Sequence, residues 1–167
     1  MKKIIHLTVF LALVSALAGS ILSYVNAMTS PIIEERKIAA VKSSLQEIFP
    51  STNEFKEIDF KDDSETINNV YEAVGAGYAF NVSVQGYKEP IEYIVGVDTD
   101  GNVLGFIVTY VNDTPGLGTK VGDPAFAESI VGKTISGSFD TISGATISSS
   151  AAISGLANVS KVLESLK

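Results

Sequence analysis

An apolar run near the N-terminus constrains the fold most strongly. Ile4 to Val25 carries no charge over about 22 residues, and about 20 are enough to cross the hydrocarbon core as a helix. Lys2 and Lys3 precede the run, so the positive-inside rule predicts a cytoplasmic N-terminus and an extracytoplasmic remainder. A cleaved signal peptide ending near Ala16-Leu17-Ala18 is the alternative. Apolar residues continue past that site to Val25, which favours a retained single-pass anchor in the cell (inner) membrane.

The composition excludes several kinds of chemistry. The chain has no cysteine, which excludes disulfides, thiolate nucleophiles and cysteine-ligated zinc or iron–sulfur clusters. Its only histidine is His6, inside the apolar run, so a Ser-His-Asp hydrolase or a histidine-ligated metal is not expected. We therefore expect no catalytic residue and no metal site, and any redox chemistry must come from a bound organic cofactor.

Charge is distributed unevenly along the chain. From residue 29 onward there are 10 lysines and arginines against 19 acidic residues, a net charge of −9. An acidic body of this kind does not suit nucleic acid or anionic lipid surfaces. The sequence thus predicts a solvated domain with no nucleic-acid partner.

A second helical pattern follows the apolar run. Thr29-Ser30-Pro31 resembles a helix start, because it places a hydroxyl cap before an early proline. Apolar residues then repeat every three or four positions until Phe49-Pro50. We predict three segments: 1–28 as cytoplasmic N-terminus and transmembrane anchor, 29–50 as a connecting helix, and 51–167 as the extracytoplasmic domain. The pattern leaves open whether 29–50 continues the span or lies against the domain.

The remaining chain predicts an α+β fold. Residues 51–69 are polar and indicate a loop or short irregular elements. Strands are predicted at 69–74, 78–85, 91–97 and 103–111 from apolar alternation. These strands should form an antiparallel meander, followed by a short helix at 124–131 and an amphipathic helix whose apolar, core-facing side begins at Ile147. We expect an antiparallel sheet with helices packed on one face.

The loop from Asp140 to Thr146 is the most informative polar stretch. It contains one glycine and three hydroxyl residues and leads directly into the amphipathic helix. Free N–H groups and the positive dipole end make such a helix start a favourable place for a phosphate. Taken by itself, a hydroxyl at this position is most often only a helix cap.

Two motifs nevertheless resemble a known family. The run Asp-x-x-Ser-Gly-Ala-Thr, at 140–146, is similar to the flavinylation motif of FMN-binding domains. Such domains occur in the G subunit of the Rnf ion-translocating ferredoxin:NAD oxidoreductase and in the C subunit of the related sodium-pumping quinone reductase. The run Asp113 to Lys120 resembles the family's Glu-Thr-Pro-Gly-Leu-Gly segment. Asp113 replaces the usual glutamate, and Val111 stands where a histidine is often found, so a histidine contact to flavin is not expected here.

The resemblance implies a cofactor and a set of residues that hold it. In the family the last threonine of the motif, here Thr146, carries FMN through a phosphoester bond that a separate flavin transferase forms. The phosphate would lie near Ser143, Gly144 and Ala145, and the isoalloxazine ring would rest against four residues of the second motif, Thr114, Gly116, Leu117 and Gly118.

The resemblance also implies a role in a complex. The chain would be a redox subunit, not catalytic alone, that passes electrons among the membrane subunits of an Rnf-type complex coupled to Na+ or H+ translocation. A stand-alone flavoprotein of extracellular electron transfer is one alternative. A non-redox anchored module that binds a phosphorylated ligand is another.

Overall fold

The computed structural model describes residues 2–52 and 54–166. It begins with one long helix, continues with five strands and ends with helices. The elements are α1 Lys2–Ile48, β1 Phe55–Ile58, β2 Ile67–Ala73, β3 Gly77–Gln85, β4 Pro90–Val97, β5 Val103–Tyr110, a 3-10 helix Gly118–Gly122, α2 Pro124–Ile130 and α3 Thr146–Leu166. Backbone contacts divide the chain into two compact units, Met1–Ala39 and Ala40–Lys167.

The first unit is helical throughout its described residues. Helix α1 is long and apolar enough to cross a membrane, and its apolar side chains between Ile4 and Val25 are exposed. The predicted helix start at Thr29 is wrong, since α1 runs through this position with Pro31 inside it. Thr29 and Ser30 instead donate hydrogen bonds back to the carbonyls of Val25 and Asn26, as hydroxyls do within a continuing helix.

In the second unit, the strands form one antiparallel sheet in sequence order, β1-β2-β3-β4-β5. The predicted meander is confirmed, and Phe80 of β3 pairs with Val95 of β4 at its centre. The loop predicted over 51–69 is wrong in part, because Phe55–Ile58 forms β1 and pairs with β2. Four residues are too few for an alternating pattern to stand out from a polar surrounding.

One sheet face carries the main core. Helix α3 packs across β3 and its neighbours, and it buries Leu156, Val159 and Leu163. Its approach is close, since a Cβ on Gly155 would lie 2.2 Å from the Tyr93 hydroxyl oxygen. That fully buried hydroxyl donates a hydrogen bond to the Ala152 carbonyl at 2.8 Å. The bond and the missing Cβ together fix α3 against the sheet.

The opposite sheet face holds the C-terminal end of α1. Leu45, Ile48 and Phe49 are buried there in a second apolar cluster. Ile48 sits over Gly96 and Gly105, which are paired across β4 and β5. A Cβ on either glycine would lie 2.3 Å or 2.7 Å from Ile48 carbons. The α+β class is therefore confirmed. The prediction that helices pack on only one face of the sheet is wrong, because the two glycines make room for a helix end on the other face.

Candidate functional site

A cleft of about 400 Å³ opens between three segments of the second unit. The segments are the start of α3, the loop that leads into the 3-10 helix, and the turn that joins β3 to β4. The lining residues are Tyr87, Thr114, Leu117, Gly118, Gly144, Ala145, Thr146, Ile147 and Ser148.

The start of α3 contributes an exposed hydroxyl residue to this cleft. Thr146 is the first residue of the helix and is exposed. Gly144 precedes it with a φ of 79°, a left-handed conformation that glycine adopts without strain. The Ser149 hydroxyl accepts a hydrogen bond from the Ile142 N–H at 3.0 Å and donates one to the Ala145 carbonyl at 2.9 Å. These two hydrogen bonds connect the loop to the start of the helix. The N–H groups of the first helical turn lack an i−4 partner within the helix, as at any helix start.

The second motif forms a tight loop on the other side of the cleft. The Leu117 N–H donates to the Thr114 carbonyl at 3.1 Å, and the Gly116 N–H donates to the Thr119 hydroxyl at 3.0 Å. Gly118 is buried against the neighbouring segments: a Cβ there would lie 2.6 Å from the Asp113 Cβ and 2.8 Å from the Ser148 hydroxyl. This glycine lets the loop and α3 come together without an intervening side chain.

Asp113 joins the three segments behind the cleft. It is 3% exposed. Its carboxylate accepts hydrogen bonds from the Ser148 hydroxyl at 2.7 Å, the Lys88 N–H at 2.7 Å and the Tyr87 N–H at 3.2 Å. Burial alone would raise the pKa of Asp113, but the hydrogen bonds from Ser148 and the turn backbone outweigh burial and hold this pKa below its usual range. The carboxyl group is therefore ionised at neutral pH.

Three large side chains form the rim of the cleft. Tyr87, Leu117 and Ile147 are 63%, 46% and 58% exposed. Ile147 was predicted on the core-facing side of α3, and that prediction is wrong. The inward positions of the first turns are taken by Ser148, Ser149 and Ala152, so Ile147 points to the rim instead. Clustered apolar exposure around a cleft is typical of a ligand site.

The structure brings together most of the residues predicted from the two motifs. Thr114, Leu117, Gly118, Gly144, Ala145 and Thr146 all line the cleft. Gly116 and Ser143 are exposed beside it without lining it, and Asp140 is exposed as well.

Sequence reasoning missed three lining residues, Tyr87, Ile147 and Ser148. Tyr87 lies in a turn that nothing in the sequence connects to position 146. Ser148 could have been suspected only from its place two residues after the motif.

The cleft suits a phosphorylated planar ligand. A hydroxyl stands at a helix start, where the dipole and the N–H groups favour an anion. Gly118 and Gly144 add no side chains to the walls, and the rim is apolar. The arrangement therefore fits a flavin mononucleotide.

Comparison with known proteins agrees with this geometry. Residues 86–161 match the family model described as FMN-binding domain. The matched segment contains every residue that lines the cleft. Residues 86–161 are therefore similar to FMN-binding domains.

Longer similarities extend over most of the chain. The G subunit of the Na(+)-translocating ferredoxin:NAD(+) oxidoreductase complex of Acetobacterium woodii is 28% identical, over 93% of this chain and 89% of that protein. The G subunit of the ion-translocating oxidoreductase complex of Methanosarcina acetivorans is 27% identical, over 93% of this chain and 92% of that protein. The two proteins show that the chain resembles G subunits along nearly its whole length.

A solved structure is also similar over part of the chain. The crystal structure of the C subunit of Na(+)-translocating NADH-quinone reductase from Parabacteroides distasonis is 27% identical, with a TM-score of 0.45 over 58% of this chain and 61% of that one.

Proposed function

We propose that this chain is an electron-transfer subunit of an Rnf-type complex and carries FMN covalently on Thr146. One observation carries the proposal: Thr146, the first residue of α3, is exposed and lines the apolar-rimmed cleft. Similarity to G subunits over more than nine-tenths of the chain supports the membership in a complex.

The phosphate would lie at the start of α3. The first-turn N–H groups and the positive end of the helix dipole offset its charge. Ser143, exposed next to Gly144, would donate a further hydrogen bond. The Asp113 carboxylate faces the Ser148 hydroxyl and the turn N–H groups, so its negative charge is already paired with donors of the protein.

The ring would lie against the second motif and the rim. Thr114, Leu117 and Gly118 supply one wall, and Tyr87 and Ile147 supply apolar surface at the edge. Bound flavin would supply one-electron and two-electron redox chemistry. The protein binds and orients the ring and limits its contact with water. An acid or base is not required for that role, in agreement with a lone histidine located in α1.

Attachment would need a separate enzyme. Threonine is a weak nucleophile unless a base activates it. None of the described side chains accepts a hydrogen bond from the Thr146 hydroxyl. A flavin transferase that supplies the base and a metal ion would join the Thr146 oxygen to the FMN phosphorus of FAD and release AMP. An exposed threonine at the mouth of a cleft is accessible to such an enzyme.

The attachment is tested by in-gel flavin fluorescence of the full chain after denaturation, with and without a co-expressed flavin transferase. Thr146→Ala is the test variant, and Thr141→Ala is the matched control, because Thr141 is an exposed threonine of the same motif. We expect fluorescence in the wild type and in Thr141→Ala only when the transferase is present, and none in Thr146→Ala. A dark wild-type band beside a fluorescent reference substrate would refute covalent flavin.

The place in the membrane is tested separately. The proposal puts the N-terminus in the cytoplasm and the cleft outside it, in the periplasm of a double-membrane cell, with other membrane subunits as partners and Na+ or H+ as the coupled ion. Protease added to intact spheroplasts should digest the domain that contains Thr146, and affinity-tagged chain should retain multi-span subunits in mild detergent. Recovery of the tagged chain as a loaded but solitary protein would favour a stand-alone flavoprotein of extracellular electron transfer.

A further inference from the structure

Asp113 is the one charged side chain that is buried among the described residues. It does not line the cleft but lies directly behind it. Placing an ionised carboxylate out of water is costly unless hydrogen bonds replace the lost hydration. Here the Ser148 hydroxyl and the Lys88 N–H, both 2.7 Å away, together with the Tyr87 N–H at 3.2 Å, provide them.

The donors come from two different segments, and Asp113 itself belongs to a third. Tyr87 and Lys88 belong to the turn between β3 and β4, and Ser148 belongs to the first turn of α3, two residues after Thr146. Asp113 immediately precedes the loop that includes Gly118. Each segment contributes at least one residue to the cleft wall. The carboxylate is therefore the point where the three walls meet.

Two glycines surround the same carboxylate. A Cβ on Gly86 would lie 2.8 Å from an Asp113 carboxylate oxygen, and one on Gly118 would lie 2.6 Å from the Asp113 Cβ. The backbone has thus closed around this side chain from both sides, which leaves little freedom for a rearranged set of hydrogen bonds.

We propose that Asp113 is a positioning residue that holds the turn with Tyr87, the Thr114–Gly118 loop and the start of α3 in the arrangement needed to attach and seat the flavin. The proposal rests on the proposed function, because the arrangement matters only if the cleft receives the flavin. Asp113 would act through Ser148 and the turn backbone and would not touch the cofactor.

The negative charge, and not only the shape of the side chain, should matter. One carboxylate oxygen accepts from both the Ser148 hydroxyl and the Tyr87 N–H. In Asp113→Asn, an amide nitrogen at that place would face the Tyr87 N–H with a second donor, since an amide nitrogen accepts no hydrogen bond. Turning the amide over would oppose the Lys88 N–H in the same way. Asparagine can therefore satisfy only part of the network, and without charge assistance.

The experiment measures the rate of flavin attachment to the full chain in detergent micelles, with purified transferase and FAD and with in-gel fluorescence as the readout. The variants are Asp113→Asn, which loses the charge, and Asp113→Glu, which keeps it. Tyr93→Phe is the control, because it removes another buried hydrogen bond to α3, at Ala152, and leaves the Asp113 contacts in place. Thermal unfolding of each variant shows what fraction is folded.

We expect Asp113→Asn to load roughly tenfold more slowly, the size expected for losing hydrogen bonds to a charged group. Tyr93→Phe should load within about twofold of the wild type, and Asp113→Glu should recover a large part of the rate. A wild-type rate in Asp113→Asn would overturn the proposal. A loss of rate in Tyr93→Phe in proportion to its loss of stability would overturn it as well.

A second measurement needs no flavin and separates the two proposals. Amide hydrogen exchange of the unloaded chain should speed up at Tyr87 and Lys88 by roughly tenfold in Asp113→Asn and not in Tyr93→Phe. Unchanged exchange at these amides would refute the positioning role even if the wild type loads. If the wild type never loads flavin but Asp113→Asn exchanges faster at Tyr87 and Lys88, the proposed function is refuted. The role of Asp113 in holding the three segments together would still stand.

Discussion

Substituting Gly155 with alanine tests how α3, and with it Thr146, is held against the sheet. In an exposed helix interior this change stabilises by about 1 kcal/mol, because alanine is the better helix former. Here the new Cβ would lie 2.2 Å from the Tyr93 hydroxyl oxygen and 2.8 Å from a Val84 methyl group. Either α3 withdraws from the sheet or Tyr93 moves, and both break the 2.8 Å bond to the Ala152 carbonyl.

The magnitude follows from three contributions. Overpacking a well-filled core costs about 1–3 kcal/mol, and losing the Tyr93 hydrogen bond costs about 1 kcal/mol more. The helix gain of about 1 kcal/mol offsets part of this. The free energy of unfolding should therefore fall by about 1–3 kcal/mol in Gly155→Ala. Removing the clashing oxygen in Tyr93→Phe should make the same substitution cheaper by about 1 kcal/mol, while the Val84 contact remains.

Urea unfolding of the full chain in detergent micelles, followed by circular dichroism, measures all four members of this double-mutant cycle. Flavin attachment, measured in parallel, should be slower in Gly155→Ala, because the displaced helix carries Thr146. A Gly155→Ala protein as stable as the wild type would show that α3 does not lie as close to Tyr93 as described. Additivity of the cycle to within about 0.5 kcal/mol would refute the contact itself.

Three further substitutions test other contacts. Gly105→Ala should lower the free energy of unfolding by about 1–3 kcal/mol in the wild type and by much less in an Ile48→Ala background, because the three atoms nearest its new Cβ all belong to Ile48. Equal shifts of the urea midpoint in the two backgrounds would contradict this. Gly144→Ala should lower the free energy of unfolding by about 1–2 kcal/mol and slow flavin attachment, because alanine is strained at a φ of 79°. Gly144→Asn should have a smaller effect, since asparagine adopts this conformation more readily, and equal effects of the two substitutions would argue against strain. The lowered pKa of Asp113 stabilises the fold above pH about 4, and this contribution disappears as the pH falls through that lowered pKa. As the pH is lowered below about 4, urea midpoints should therefore fall less steeply in Asp113→Asn than in the wild type, and parallel curves would refute the assignment.

The sheet could be predicted from the sequence because its central strands repeat apolar residues with a period of two. Tyr78 to Val84 and Ile91 to Val97 bury one face against α3, so burial produces the alternation. β1 has only four residues and gains its place from pairing with β2, a contact that local sequence does not encode. The helix start predicted at Thr29 is wrong for a different reason. A hydroxyl residue followed by a proline is also compatible with an uninterrupted helix, as α1 shows.

The candidate site was predictable only where a motif is continuous in the chain. The loop before α3 and the loop after β5 each carry their own glycines and hydroxyls, so their residues could be named in advance. Tyr87 could not, because its position depends on a hydrogen bond between its N–H and Asp113, 26 residues away. Ser148 acquires its role in the same way, through a side chain 35 residues away. Long-range hydrogen bonds of this kind leave no periodicity in the sequence.

The rim of the cleft has a consequence for protein engineering. Tyr87, Leu117 and Ile147 are exposed and lie outside both apolar clusters of the fold. Their replacement therefore removes little buried surface, whereas a side chain added at Gly118 would clash with Asp113 and Ser148. The polarity of the opening can thus be varied widely on an unchanged scaffold, which makes these three positions the natural choice for a library that seeks a different potential or a different bound chromophore.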